Sequence, residues 1–148
     1  MGLRNYSSSV AASKSIAAIM KLLAQHGARR IATDYGADGE PEAITFTMVV
    51  GGGPVSYRLA PDEAGMLRAM EQDSGVPASK CKPEQARRMA WKNELDWLDA
   101  QLAKVAANQA RLEQLPLGYA VTDTGETFYQ RLVTGSARPY LLPEHGAA

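Results

Sequence analysis

The chain has 148 residues, with sixteen Lys and Arg balanced by sixteen Asp and Glu, and 45% hydrophobic against 22% charged residues. That composition suits one folded domain with a real core rather than a disordered chain, and the balanced charge argues against a nonspecific nucleic-acid coat, although charge can still be segregated locally. A lone cysteine, Cys81, cannot form an internal disulfide and favours a reducing, cytoplasmic setting; no apolar run is long enough for a membrane span, and the start, MGLRNYSSSVAASKS, carries no secretion signal.

From Ser13 to His26, Ile16, Ile19, Met20 and Leu23 recur at helical spacing, and Gly27 is placed to end that helix. Arg30 to Tyr35 reads as a strand and Gly36-Ala37-Asp38-Gly39 as a reversal. Ala43 to Val50 is the clearest strand, with Ile44, Phe46, Met48 and Val50 alternating against Thr45, Thr47 and Val49. Gly51-Gly52-Gly53-Pro54 makes the next reversal, and Val55, Tyr57 and Leu59 form a third strand. The triple glycine is not a phosphate loop, because no Lys-Ser or Lys-Thr pair opens a helix after it. Pro61, Asp62 and Glu63 open a second helix that ends at Ser74-Gly75.

A polar linker, residues 76–82, then separates this α-β-β-β-α unit, residues 10–75, from the stretch that organises the rest. Residues 83–115 read as one long amphipathic helix, with Trp91, Leu95, Leu98, Leu102, Val105 and Leu112 on one seam, interrupted by Gln109. Such a rod of roughly 46 Å exceeds the needs of one small domain, so its far end wants a partner, either the rest of this chain or another copy; a homodimer is expected, with Trp91, Leu95, Trp97, Leu98, Leu102 and Gln109 at its interface. In the C-terminal segment, residues 116–148, Asp123 and Glu126 make a capping box for a short helix around Phe128 to Val133, with a hairpin about Thr124-Gly125 as the competing reading. Tyr140, Leu141 and Leu142 are candidates to dock on the body. The expected fold class is α+β: a three-stranded antiparallel meander flanked by helices, then a long helix and a short C-terminal helix or hairpin, in one domain.

Charge is the sharpest local feature. Residues 76–92 carry a balance of plus four and residues 93–126 a balance of minus four. Lys80, Lys82, Arg87, Arg88 and Lys92, together with Arg29 and Arg30, are therefore the candidate binding residues for a nucleic acid or a partner protein; cations in the first turns of a helix oppose its dipole, so stability alone does not explain them. Solvated surface is the competing account. No catalytic residue, metal site or cofactor is expected. His26 reads as a helix-end residue, and Cys81 between Lys80 and Lys82 has no histidine nearby in sequence to serve as a base. Glu94, Asp96 and Asp99 bunch, but at helical spacing only Asp96 and Asp99 share a face.

The stretch AWKNELDWLDAQLAKV, followed by LPLGYAVTDTGETFYQRL, resembles small uncharacterised proteins carried by bacteriophages and prophages. Ala90, Trp91, Asp96, Trp97, Gln101, Leu102, Tyr119, Gly125 and Tyr129 carry the match, which spans about half the chain. The resemblance implies a phage or mobile-element setting inside a host cell and transfers no catalytic motif. Two roles fit: a non-enzymatic accessory protein that binds nucleic acid through the basic segment and the meander, and a protein-binding inhibitor of a host defence complex. A small enzyme using Cys81 or the acidic group is the least favoured reading.

Overall fold

The computed structural model describes residues 2–137 and residue 139; Tyr140, Leu141 and Leu142 lie outside the described residues. The elements run α1 (Ala12–Gln25), β1 (Arg30–Tyr35), β2 (Pro41–Val50), β3 (Gly53–Leu59), α2 (Glu63–Gln72), α3 (Pro83–Ala106) and α4 (Phe128–Val133), with short 3-10 turns at Ala78–Lys80, Leu112–Gln114 and Leu117–Tyr119. This is the expected α+β arrangement. Among the described residues no helix is long and apolar enough to cross a membrane.

The sheet is an antiparallel meander in the order β1-β2-β3. Ile44 lies opposite Thr33 and Leu59, Phe46 opposite Ile31 and Tyr57, and Met48 opposite Val55, so the alternation along β2 gathers the apolar side chains on one face. The β2–β3 reversal is a two-residue loop, Gly51 and Gly52, with φ of 58° and 86°. Two successive positive φ values match the right-handed twist of a hairpin, and glycine adopts them without strain.

The apolar face is covered by α1, through Ile16, Ile19 and Leu23, and by α3, through Trp91, Leu98 and Leu102, with Leu112 and Ala120 completing the cluster. Phe46 and Tyr57 stack at 5.1 Å within it. A second, smaller cluster of Met70, Val76, Ala86 and Met89 lies between α2 and the first half of α3, and Leu3 and Tyr6 of the N-terminal segment pack on it. That segment is tied across α3: Gln85 Nε2 donates to the carbonyls of Tyr6 and Ser8, both at 2.9 Å, and Asn5 Nδ2 donates to Asn93 Oδ1 at 2.7 Å and Asp96 Oδ2 at 3.0 Å.

The long helix is shorter than its seam implied, ending at Ala106 rather than Leu115. Asn108, at φ 58°, stops it: the Asn108 amide donates to Val105 and the Gln109 amide to Lys104, the paired bonds of a Schellman cap. The same device ends α1 at Gly27, φ 100°, through the amides of Gly27 and Ala28. Leu112 still reaches the core, but from a 3-10 turn after the chain has reversed.

In the C-terminal segment both competing readings hold in part. Val121 bridges Thr127 across a turn at Thr122–Gly125, and α4 follows at once. The capping box belongs to Thr127 and Gln130, not to Asp123 and Glu126; Asp123 pairs instead with Arg131 at 3.2 Å.

Candidate functional site

The seven basic candidates do not form one surface. Arg87 is half-buried and committed: its Nε donates to Glu63 Oε1 at 3.1 Å, Nη2 lies 3.2 Å from Asp38 Oδ2, and Nη1 lies 3.7 Å from Glu40 Oε2. It thereby ties α3 to the start of α2 and to the β1–β2 turn. Arg88 pairs with Glu84 at 2.8 Å and Lys92 with Asp96 at 3.0 Å, each one helical turn apart. Arg29 and Arg30 sit at the opposite end of β1 from the turn that meets Arg87, a strand length of roughly 17–20 Å away. Lys80 and Lys82 are exposed and, among the described residues, form no ion pair. Local charge density along the chain could not reveal which cations had carboxylate partners 24 and 49 residues away.

The expected dimer seam is used up within the chain. Trp91, Leu98 and Leu102 are buried in the main core, and Leu95 packs on it. Gln109 lies beyond the end of α3, exposed in the reversal. Trp97 is half-buried and meets Tyr119 edge to face, centroids 6.2 Å apart and planes at 76°. Of the two partners open to the apolar stripe, the rest of the chain takes Trp91, Leu98 and Leu102, because the sheet and α1 need covering.

The remaining chemical candidates are likewise accounted for. His26 Nδ1 donates to the Leu22 carbonyl at 2.8 Å and caps α1. Cys81 Sγ lies 3.7 Å from the Pro77 carbonyl. Asp96 is held below the ordinary carboxylate range, chiefly by the hydrogen bond from Asn5 and then by Lys92 and Arg4. Among the described residues no group of three or more His, Cys, Asp or Glu is disposed to hold a metal ion.

Two adjoining clefts form the candidate site. One, about 650 Å³, lies between the end of β3 and the C-terminal segment and is lined by Arg58, Tyr119, Thr127, Tyr129 and Gln130. The other, about 460 Å³, lies between α2 and α3 and is lined by Leu3, Pro61, Met66, Ala69, Ala90 and Glu94. Asp62 belongs to both, so they meet at the start of α2. Each volume is in the range of ordinary ligand pockets.

Local structure explains why these residues converge. Asp62 caps α2, accepting from the Gly65 amide at 2.9 Å through one oxygen, while the other lies 3.9 Å from Arg68 Nη2. The C-terminal segment is clipped to the free edge of β3 by a bridge from Ala120 to Tyr57 and by the Val121 amide donating to Ser56 at 2.7 Å. Tyr57 Oη adds a bond to the Glu113 carbonyl at 2.9 Å. The Thr127–Gln130 capping box then starts α4, whose Tyr129 lies against the Leu117–Tyr119 turn; a Cβ added at Gly118 would stand 3.8 Å from the Cβ of Tyr129.

The electrostatics of the groove are lopsided. Burial pushes the Glu94 carboxyl up, and among the described residues it has no cationic partner. Tyr119 is also raised, first by burial and then by the charge of Glu94. Arg58, the one cation lining either cleft among the described residues, is paired with Asp34. Tyr119 and Tyr129 stand out in the sequence only through the resemblance, and Glu94 only as a metal candidate. No local pattern signals a groove whose walls come from the N-terminal segment, β3, α2, α3, the Leu117–Tyr119 turn and α4.

Compared with known proteins, the chain matches no family model, no curated protein and no solved structure.

Proposed function

We propose that the protein is a non-enzymatic accessory protein of a phage or mobile element that acts by docking onto a host protein, with inhibition of a host defence complex as the biological outcome. One observation carries this reading: Leu117, Tyr119, Tyr129 and Val133 are 55%, 42%, 61% and 67% exposed, and they cluster on two touching elements beside the 650 Å³ cleft. Large apolar side chains left in water together mark a recognition surface, and tyrosine is enriched where proteins meet. The edge contact with Trp97 restrains Tyr119 before binding, which lowers the ordering cost of docking.

Nucleic-acid binding through the basic segment is the weaker reading. Arg87, Arg88 and Lys92 are neutralised by carboxylates, and Arg29 and Arg30 lie at the far end of β1 from the turn that meets Arg87. The groove itself carries Glu94 and Asp62, which repel phosphate.

Affinity capture of the tagged protein from host cells, after nuclease treatment, tests the proposal against the double variant Tyr119→Ala, Tyr129→Ala. A stoichiometric host protein is expected with wild type and not with the variant. Retention that disappears with nuclease and falls steeply with log salt would favour nucleic acid instead; equal capture by the variant would move the docking surface elsewhere.

A further inference from the structure

Resting on the docking role just proposed, we infer that the partner segment held in the groove presents a lysine or arginine side chain to Glu94, with an adjacent apolar side chain entering the cleft lined by Leu3, Met66 and Ala69. Three features of the groove select this chemistry. Glu94 is a half-buried carboxylate without a cationic partner among the described residues, and an unpaired charge in such surroundings is costly until a counter-charge arrives. Asp62 stands at the junction of the two clefts; one of its oxygens caps α2 and the other makes only a long, exposed ion pair of 3.9 Å with Arg68, so it adds negative charge to the groove without burying a pair. Arg58, the cation lining the larger cleft, is already paired with Asp34.

The walls fit the rest of such a side chain. Tyr119 and Tyr129 line the larger cleft, where an aliphatic stem can lie along their rings, and Asp62 joins that cleft to the one that Glu94 lines; a cation beside a tyrosine ring is itself favourable. The second cleft, lined mostly by Leu3, Pro61, Met66, Ala69 and Ala90, has the size and apolar character for one medium aliphatic residue. An anionic ligand is disfavoured by the same charges. The groove is thus complementary to a short basic-apolar segment.

A displayed library of random dodecapeptides, panned on the purified full chain and in parallel on Glu94→Gln, tests this. The glutamine is nearly isosteric and removes a charge that is buried at a cost, so the variant is expected to fold. Wild type should enrich peptides with Lys or Arg next to an aliphatic residue, and the variant should lose that enrichment and bind the wild-type peptides roughly tenfold or more weakly. Peptides enriched for apolar or aromatic residues alone, bound equally by both proteins but lost with Tyr129→Ala, would overturn the inference and leave the docking role standing. Enriched peptides indifferent to Tyr129→Ala, or no enrichment at all, would sink both.

Discussion

Replacing Arg87 with methionine tests how much of the fold depends on one guanidinium. Its side chain and that of Glu63 are 23% and 25% exposed, whereas Asp38 and Glu40 are 61% and 52% exposed, so the stabilisation is concentrated in the Glu63 pair. Nε faces both Glu63 oxygens, at 3.1 and 3.3 Å. Hydrogen bonds of this charge-assisted kind contribute about 1.5–3 kcal/mol when partly shielded, while the exposed contacts add little. Methionine preserves the aliphatic stem but leaves three carboxylates facing one another, so the expected loss is about 2–3 kcal/mol, or roughly 5–10 °C in Tm. Urea denaturation followed by the fluorescence of buried Trp91 measures it. A double-mutant cycle with Glu63→Gln should give a coupling of about 1–2 kcal/mol. Asp38 is held below its ordinary value of 3.8, first by the Glu40 amide and also by Arg87. Its contribution is therefore present above that value and lost only as pH falls through the lowered one, so the part of the Arg87→Met loss that comes from Asp38 should be constant between pH 5 and 7. A variant within about 0.5 kcal/mol of wild type, or additive single changes, would refute the reasoning.

Two further outcomes follow from buried polar groups. Burial raises Glu94 above its ordinary 4.5, so the native state holds its proton more tightly than the unfolded chain and stability falls as pH rises through that interval. Glu94→Gln should therefore raise the urea midpoint at neutral pH, with the difference vanishing below about pH 4; a destabilised variant at pH 7 would contradict the assignment. Gln85→Ala removes both bonds that hold the N-terminal segment across α3 and is expected to cost about 1–3 kcal/mol. Amide exchange in residues 3–8 should rise while the middle of α3 stays protected, and unchanged exchange there would mean that Leu3, Tyr6 and Asn5 suffice.

What was legible in the sequence was local. The spacing of Ile16, Ile19 and Leu23, the alternation from Ile44 to Val50 and the glycines at 27, 51 and 52 specify α1, β2 and its hairpin, and the structure has them there. β1 runs from Arg30 to Tyr35 as read. Those features are decided by a residue and its near neighbours: side-chain period against the backbone, and the ability of a glycine to take positive φ. The apolar spacing misplaces the end of α3 at residue 115, because Asn108 rather than glycine fills the left-handed cap position. Leu112 kept the apolar spacing alive past that cap because the core needed it, whatever path the chain took to deliver it.

Only tertiary structure decided which surfaces were left over. Whether Arg87 faces a phosphate or Glu63, and whether Trp91 and Leu98 meet a second copy or their own sheet, depends on which elements meet in space, and charge and apolar spacing in one segment carry no record of that. The groove joining Asp62, Glu94, Tyr119 and Tyr129 exists because the C-terminal segment is clipped to the edge of β3 beside the start of α2. Neighbouring residues determine backbone conformation through short-range sterics and hydrogen bonding, whereas partners for charges and faces are chosen by packing the whole chain at once.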